Sequence, residues 1–436
     1  MGLARVIVAN RGEIASRIIR ACNALDLETI LTVSDADRDS LPARQAGRVV
    51  CIGPGAPSKS YLNRKAIVAA ALGTAADALH PGYGFLSESS ELAALCAANG
   101  ITFVGPRPDH IQQMADNLQA REFAQRHGIP VLAGSQKVST YQEALEVVEG
   151  IGLPVMMKAA AGGGGRGMKV VNGYGEMERA FMAASAEARS AFGDETLYLE
   201  RFIRNARHIE VQVLGDRYGN VIHLGERDCS LQRRHQKIIE EAPAPGISEE
   251  LRMEIRRAAV TLARCMNYES AGTVEFIYDE DDKKFYFLEM NTRIQVEHPI
   301  TETITGVDLV QQQLLVASGQ PLNMTQSDIA FNGHAIECRI TAELPYENFR
   351  PNPGRITTWR PPDGEFVRLD THCFEGYTVP LHYDSLLAKL IVHAENRSKA
   401  IDRMLDALAR FSIEGIGTTL PFLKFAVGHP DFVGER

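Results

Sequence analysis

The succession of short apolar runs and helically spaced apolar residues between Val6 and Ala78 constrains this chain more than any other feature. Val6 to Ala9 reads as a strand, Asn10-Arg11-Gly12 as a turn, and Ile14, Ile18, Ile19 and Cys22 fall on one face of a helix. Thr29 to Val33 and Val49 to Ile52 read as further strands, Ala66 to Leu72 as a helix, and the residues around Ala78 as another strand. Strands alternating with helices give an open, largely parallel sheet, because each crossover needs a helix to cover the sheet face. This first lobe is expected to end near Pro106 to Asp109.

A chain of 436 residues is too long for one such lobe. A helix is expected from Ile111 to His127, stopped by Gly128-Ile129-Pro130. A smaller lobe over 131–203 carries the most glycine-dense stretch, Lys158 to Lys169, between β-like runs at Pro154 to Met157 and Lys169 to Val171; two strands joined by a glycine loop make a flap. His208 to Leu214 and Val221 to Gly225 alternate as antiparallel strands do, and Phe285 to Glu289 follows an acidic turn. The last hundred or so residues, punctuated by Pro351, Pro353, Pro361 and Pro362 and containing a helix from Lys399 to Phe411, read as a separate β-rich cap. The class is α/β combined with α+β, in several domains.

A formal charge of -9 argues against nucleic acid or an anionic membrane surface as partner, so local basic clusters serve smaller anions. Seven cysteines form no CxxC pair, which suits a reducing cytoplasm better than a disulfide or zinc framework. The amino terminus does not read as a signal peptide, and no apolar stretch approaches the roughly 20 residues of a membrane span.

Four further clusters carry chemistry. The glycine run after Lys158 lets backbone N–H groups approach a ligand between two cations, which suits phosphate, although a plain surface loop has the same composition and no GK[ST] follows. From Glu289 to Glu297 polar residues occupy alternate positions, and in a strand all five would share one face. Glu275 lies on a strand expected to pair with the one ending at Glu289, which gathers two carboxylates and Asn291 into an oxygen-rich set suited to magnesium. Arg227 to Lys237, of mixed polarity and without an apolar stripe, is either a charged surface helix or loop or a site where His235 and Lys237 could meet an anion. His80 to Glu88 follows a strand, where open sheets present ligand loops, or is a tight turn; Arg339 projects into the same cleft or pairs locally with Glu337.

Taken in order, Asn10-Arg-Gly-Glu-Ile, His80 to Glu88, the loop from 158 to 169, Arg227 to Lys237 and Glu289 to His298 resemble the biotin carboxylase family of ATP-grasp enzymes over nearly the whole chain. The resemblance implies an amino-terminal doubly wound (Rossmann-like) lobe over 1–112, a linker helix and mobile glycine-loop flap over 113–203, a catalytic part over 204–328 and a carboxy-terminal β-rich lobe over 329–436. It implies that Lys158, Glu200, His208, Gln232 and His235 surround ATP, with Gly163, Gly164 and Gly165 over its phosphates. Glu275, Glu289 and Asn291 would hold magnesium, or manganese in its place. Lys237, Arg293, Gln295 and the Val296 backbone would cradle bicarbonate, Glu297 would take its proton, Arg339 would stabilise the enolate-like oxygen of biotin, and Tyr83 and Gly84 would lie near the biotin ring.

The resemblance also implies a biotin carboxyl carrier protein or domain, a carboxyltransferase subunit or domain, and a homodimer with contacts around Arg17, Arg20 and the carboxy-terminal lobe. No Ala-Met-Lys-Met attachment sequence is present, so the biotin is expected from elsewhere. One position departs from the pattern: the family usually has a phosphate-contacting lysine where this chain has Asn117. Weaker nucleotide binding, or compensation by Arg121 or Lys158, is expected. Loss of turnover, or a different ATP-grasp ligase activity, are the alternatives.

Overall fold

The computed structural model describes residues 2–160 and 168–434. Its amino-terminal part is a five-stranded parallel sheet in the spatial order Arg48–Gly53, Glu28–Ser34, Arg5–Val8, Ala78–His80, Thr102–Phe103. The β-branched run Val6-Ile7-Val8 lies at its centre with no exposed surface. The strand order reverses between Arg5–Val8 and Ala78–His80, and the carboxyl ends of such neighbours leave a crevice. Two loops meet there: the Asn10 amide donates to the carbonyls of Pro81 (2.6 Å) and Tyr83 (2.8 Å). Gly12 opens the helix Gly12–Ala24 at φ +70°, a left-handed turn for which glycine is suited.

The helix expected from Ile111 to His127 is two helices, Pro108–Ala115 and Asn117–Arg126. The break falls at Asp116, whose carboxylate accepts from the N–H groups of Leu118 and Gln119 and starts the second helix afresh. Beyond it Lys169–Val171, Val155–Ala159 and Leu197–Arg201 form a three-stranded antiparallel sheet covered by Tyr141–Ile151 and Tyr174–Phe192. The two strands expected to flank the glycine loop are present and paired. Gly163, Gly164 and Gly165 lie outside the described residues.

The rest is organised by one eight-stranded antiparallel sheet, in the order Lys284–Asn291, Ser270–Asp279, Ala206–Gly215, Val221–Arg233, Gln236–Ala242, His334–Thr341, Leu386–Ala394, Val367–Thr371. Strands from the stretch expected as a β-rich cap therefore extend the central sheet directly. Alternation decides its two faces. Ile209, Val211 and Val213 pack under the helix Glu249–Cys265, in one cluster with Ile255 and Ala259, at about 1.5–3 kcal/mol for each large side chain. The intervening His208, Glu210 and Gln212 face the other way. Arg17, expected at a contact between subunits, is 2% exposed and paired inside the chain with Glu302 (2.7 Å) and Asp308 (2.6 Å), whereas Arg20 keeps 56% of its side chain exposed.

Candidate active site

A cleft of about 920 Å³ lies between the central sheet, the three-stranded sheet and the crevice of the parallel sheet. Every residue expected at the nucleotide, metal, bicarbonate or biotin positions lines it, apart from the three undescribed glycines and Glu297. Glu297 sits directly behind the wall with no exposed surface.

The stretch Arg227 to Lys237, for which a charged surface helix or loop was one reading, runs along the facing ends of two paired strands, Val221–Arg233 and Gln236–Ala242, joined in a hairpin tipped by Arg234 and His235 at φ 49° and 65°. His235 stays exposed at the tip, while Lys237 points into the cleft wall. Its ammonium meets Glu210 at 2.5 Å, Glu297 at 2.6 Å and Glu275 at 3.0 Å. Burial alone would lower the lysine; the three carboxylates reverse this and raise it well above its ordinary value. Glu297 also has burial against it, yet Lys237 and Arg339 hold it ionised below the usual carboxylate range. Arg339 places Nη2 2.9 Å from Glu297 and Nε 2.6 Å from Glu240. Its neighbour Glu337, the local partner the sequence allowed, has both oxygens buried without a hydrogen bond.

The strand expected to run from Glu289 to Glu297 ends at Asn291. Thr292 to Glu297 form an irregular turn and the helix His298–Thr305 follows, with Pro299 in its first turn. Glu88 holds the bend: it accepts from the Thr292 N–H (3.2 Å) and pairs with Arg293 (2.8 Å). Arg293 and Gln295 still reach the cleft, Arg293 donating to the Asn291 side-chain oxygen (2.7 Å) and Gln295 to Glu275 (2.8 Å).

Glu275 and Glu289 are direct cross-strand partners, as expected. Two opposed carboxylates in a buried position repel, and Glu289 is accordingly raised by burial, Glu275 and Glu88. Asn291 lies with them, its amide nitrogen donating to Glu275 (2.9 Å) and Glu289 (3.4 Å), and the gathered carboxylate oxygens are hard donors of the kind that suit a divalent cation such as magnesium. His208 lies 2.8 Å from Glu275; burial opposes its charge, but Glu275 outweighs this and lifts the ring to about 9.

At the nucleotide end, Lys158 pairs with Glu200 at 2.5 Å and Arg121 closes on the same carboxylate, donating also to the Leu132 carbonyl (2.8 Å). Gln232 donates to the Cys229 carbonyl (2.7 Å). Asn117 is the first residue of its helix, at the cleft wall, with its side chain hydrogen-bonded to Tyr198. Tyr83 bonds Glu13 through a short contact, next to Gly84.

Several site groups were not singled out from the sequence. Glu210 shares strand parity with His208, and that alternation was the available signal. Lys389 is a lone cation in the apolar strand Leu386–Ala394, a pattern that marks a paired buried charge. Arg227, fully buried, joins Glu210 (2.5 Å), Gln212 (2.9 Å), Thr301 (2.9 Å) and Thr273 (3.3 Å), and nothing local in the sequence announces those partners.

A cleft roofed by a small antiparallel sheet and floored by carboxylate-bearing strands of a large one is the architecture of an ATP-grasp ligase. Residues 2–111 match the biotin carboxylase N-terminal domain, 116–325 the ATP-binding domain of the carbamoyl-phosphate synthase L chain, and 337–436 the biotin carboxylase C-terminal domain. The chain is 51% identical over 430 residues to a biotin carboxylase of Nostoc sp., covering 98% of this chain and 96% of the relative. It superposes with a TM-score of 0.97 on the crystal structure of the Campylobacter jejuni biotin carboxylase–β,γ-ATP complex, at 47% identity and covering 100% and 97% of the two chains. A biotin carboxylase domain dimer of Hydrogenobacter thermophilus 2-oxoglutarate carboxylase, in complex with MgADP, ADP and bicarbonate, gives 0.96 at 45% identity, covering 100% and 96%. The chain belongs to the biotin carboxylase family.

Proposed function

We propose that this chain carboxylates biotin borne on a biotin carboxyl carrier protein or domain, using ATP and bicarbonate, as the first half-reaction of an acyl-CoA or pyruvate carboxylase. The observation that carries the reading is Glu297: a fully buried carboxylate held between Lys237 and Arg339, directly behind a cleft that also presents Arg293 and Gln295. That arrangement offers an anion several donors and one acceptor for its proton.

In this reading Lys158, Glu200, His208, Gln232, His235 and the helix start at Asn117 surround ATP, with Gly163, Gly164 and Gly165 over its phosphates. Glu275, Glu289 and Asn291 would hold magnesium, which supplies charge neutralisation of the phosphate oxygens when bound. Lys237, Arg293, Gln295 and the Val296 backbone cradle bicarbonate. Glu297 takes its proton, so that the bicarbonate oxygen attacks the γ-phosphorus, ADP leaves and carboxyphosphate forms. Carboxyphosphate releases CO2 and phosphate; the phosphate takes the ureido proton of biotin, and the ureido nitrogen adds to CO2. Arg339 lies against the developing enolate-like oxygen, with Tyr83 and Gly84 beside the ring.

The division into 1–112, 113–203, 204–328 and 329–436 serves these tasks. A homodimer, a carboxyltransferase partner and a cytoplasmic site of action fit the family. Among the described residues no helix is long and apolar enough to cross a membrane.

The test is ADP release by the purified chain with MgATP, with and without bicarbonate and free biotin. Turnover that requires bicarbonate, rises with biotin and is abolished in Glu297→Ala is expected. Asn117→Lys should lower KM for ATP about tenfold, the worth of one charge-assisted hydrogen bond. An ATPase indifferent to bicarbonate in both the parent and Asn117→Lys would overturn the proposal.

A further inference from the structure

Lys389 is a buried cation that the proposed chemistry does not use. Its strand neighbours Leu387, Ala388, Leu390 and Val392 all belong to an apolar core, and its own side chain has no exposed surface. An ammonium in such a place costs several kcal/mol unless it is paired and hydrogen-bonded. Among the described residues it has two close partners: the Val296 carbonyl at 2.9 Å and Glu13 at 3.1 Å. Asp370 is more distant, at 4.0 Å.

These partners come from separate parts of the molecule. Glu13 lies in the first turn of the helix Gly12–Ala24, and its carboxylate also accepts from the Tyr83 hydroxyl. Val296 lies in the turn between Asn291 and His298, which has no strand ladder to hold it. The Val296 carbonyl and the Glu297 N–H belong to one planar peptide unit, so anchoring that carbonyl sets the plane from which the Glu297 side chain departs. The preceding unit, which carries the Val296 N–H, is anchored through the Gln295 carbonyl, which lies 2.7 Å from Nδ1 of His298 and accepts its N–H at 3.4 Å. Both peptide planes flanking Val296 are thus held from behind.

We propose that Lys389 is a positioning residue for the anion-binding turn, its ammonium fixing the Val296–Glu297 peptide plane and tying it to Glu13 and Tyr83. This rests on the assignment of that turn to bicarbonate. The variant Lys389→Met keeps the length of the side chain and removes the donor. Because it strands Glu13 as a buried unpaired acid, the double variant Lys389→Met/Glu13→Gln is made beside it.

Steady-state ADP release is measured against bicarbonate and against ATP, together with thermal unfolding of each protein. The expected result is a fall of about 10- to 100-fold in kcat/KM for bicarbonate, the range set by groups that orient primary contacts, with KM for ATP at the parent value. Bicarbonate kinetics unchanged in both variants would overturn the inference. So would a parallel loss for ATP and bicarbonate, or failure of both variants to fold, since either makes Lys389 a support of the fold at large. A parent that ignores bicarbonate would instead remove the functional assignment beneath it.

Discussion

Glu240 and Glu297 share the guanidinium of Arg339, but their surroundings drive them apart. Glu297 has Lys237 as a second cation, while one oxygen of Glu240 is buried without a hydrogen bond. Burial, opposed by Arg339 and reinforced by Glu297, pushes Glu240 up to about 7. A carboxyl that binds its proton more tightly when folded adds stability below the unfolded value near 4.5 and loses it as pH rises through 7. Glu240→Gln, which cannot ionise, should therefore match the parent near pH 4 and exceed it at pH 8 by up to about 3 kcal/mol. Urea unfolding at pH 4 and at pH 8 measures this, and equal gains at both would contradict it. Asn117, by contrast, could be read directly from the sequence because it interrupts a motif. Glu240 could not, since its charge state depends on residues far along the chain.

At the scale of elements, strand parity was legible and termination was not. The alternation in Ala206–Gly215 follows from side-chain period alone, and the expected neighbouring of the strands of Glu275 and Glu289 is matched by their direct pairing. The end of the strand at Asn291 does not, because the bend is held by Glu88, more than two hundred residues earlier. The helix break at Asp116 was missed because a capping aspartate inside a helical pattern resembles any exposed acid. The hairpin at Arg234 and His235 lacks the glycine or asparagine that usually marks such a turn. Arg227 ties these elements together, reaching strands at Glu210 and Thr273 and the helix at Thr301. Arg227→Met should cost about 3–5 kcal/mol in chemical denaturation, because Glu210 loses a buried partner. A loss under about 1 kcal/mol would show that Lys237 alone satisfies Glu210.

For the whole molecule, the central sheet runs without interruption from the proposed metal carboxylates to the strand bearing Lys389. Local patterns suggested a separate β-rich cap for the last hundred or so residues, whereas its strands continue the central sheet, because sheet continuity is a long-range pairing that local patterns do not encode. Among the described residues Gln236–Ala242 is paired along one edge only by His334–Thr341. A chain cut after residue 329 would expose that edge and uncover Ile239, so it should aggregate or bind a hydrophobic dye, as judged by gel filtration and dye fluorescence. A monodisperse fragment without dye binding would mean that the two halves of the sheet fold independently.

That seam also limits how such a chain can be rebuilt by recombination. An exchange of residues 329–436 between homologues has to preserve the matching of Ile239 with Cys338 and of Ala242 with Ala335. A slip of one residue would turn Arg339 away from Glu297 and toward the opposite face. Loops at the rim are free of this restriction, whereas a strand keeps its facing side chains only when it is exchanged together with the partner that sets its register.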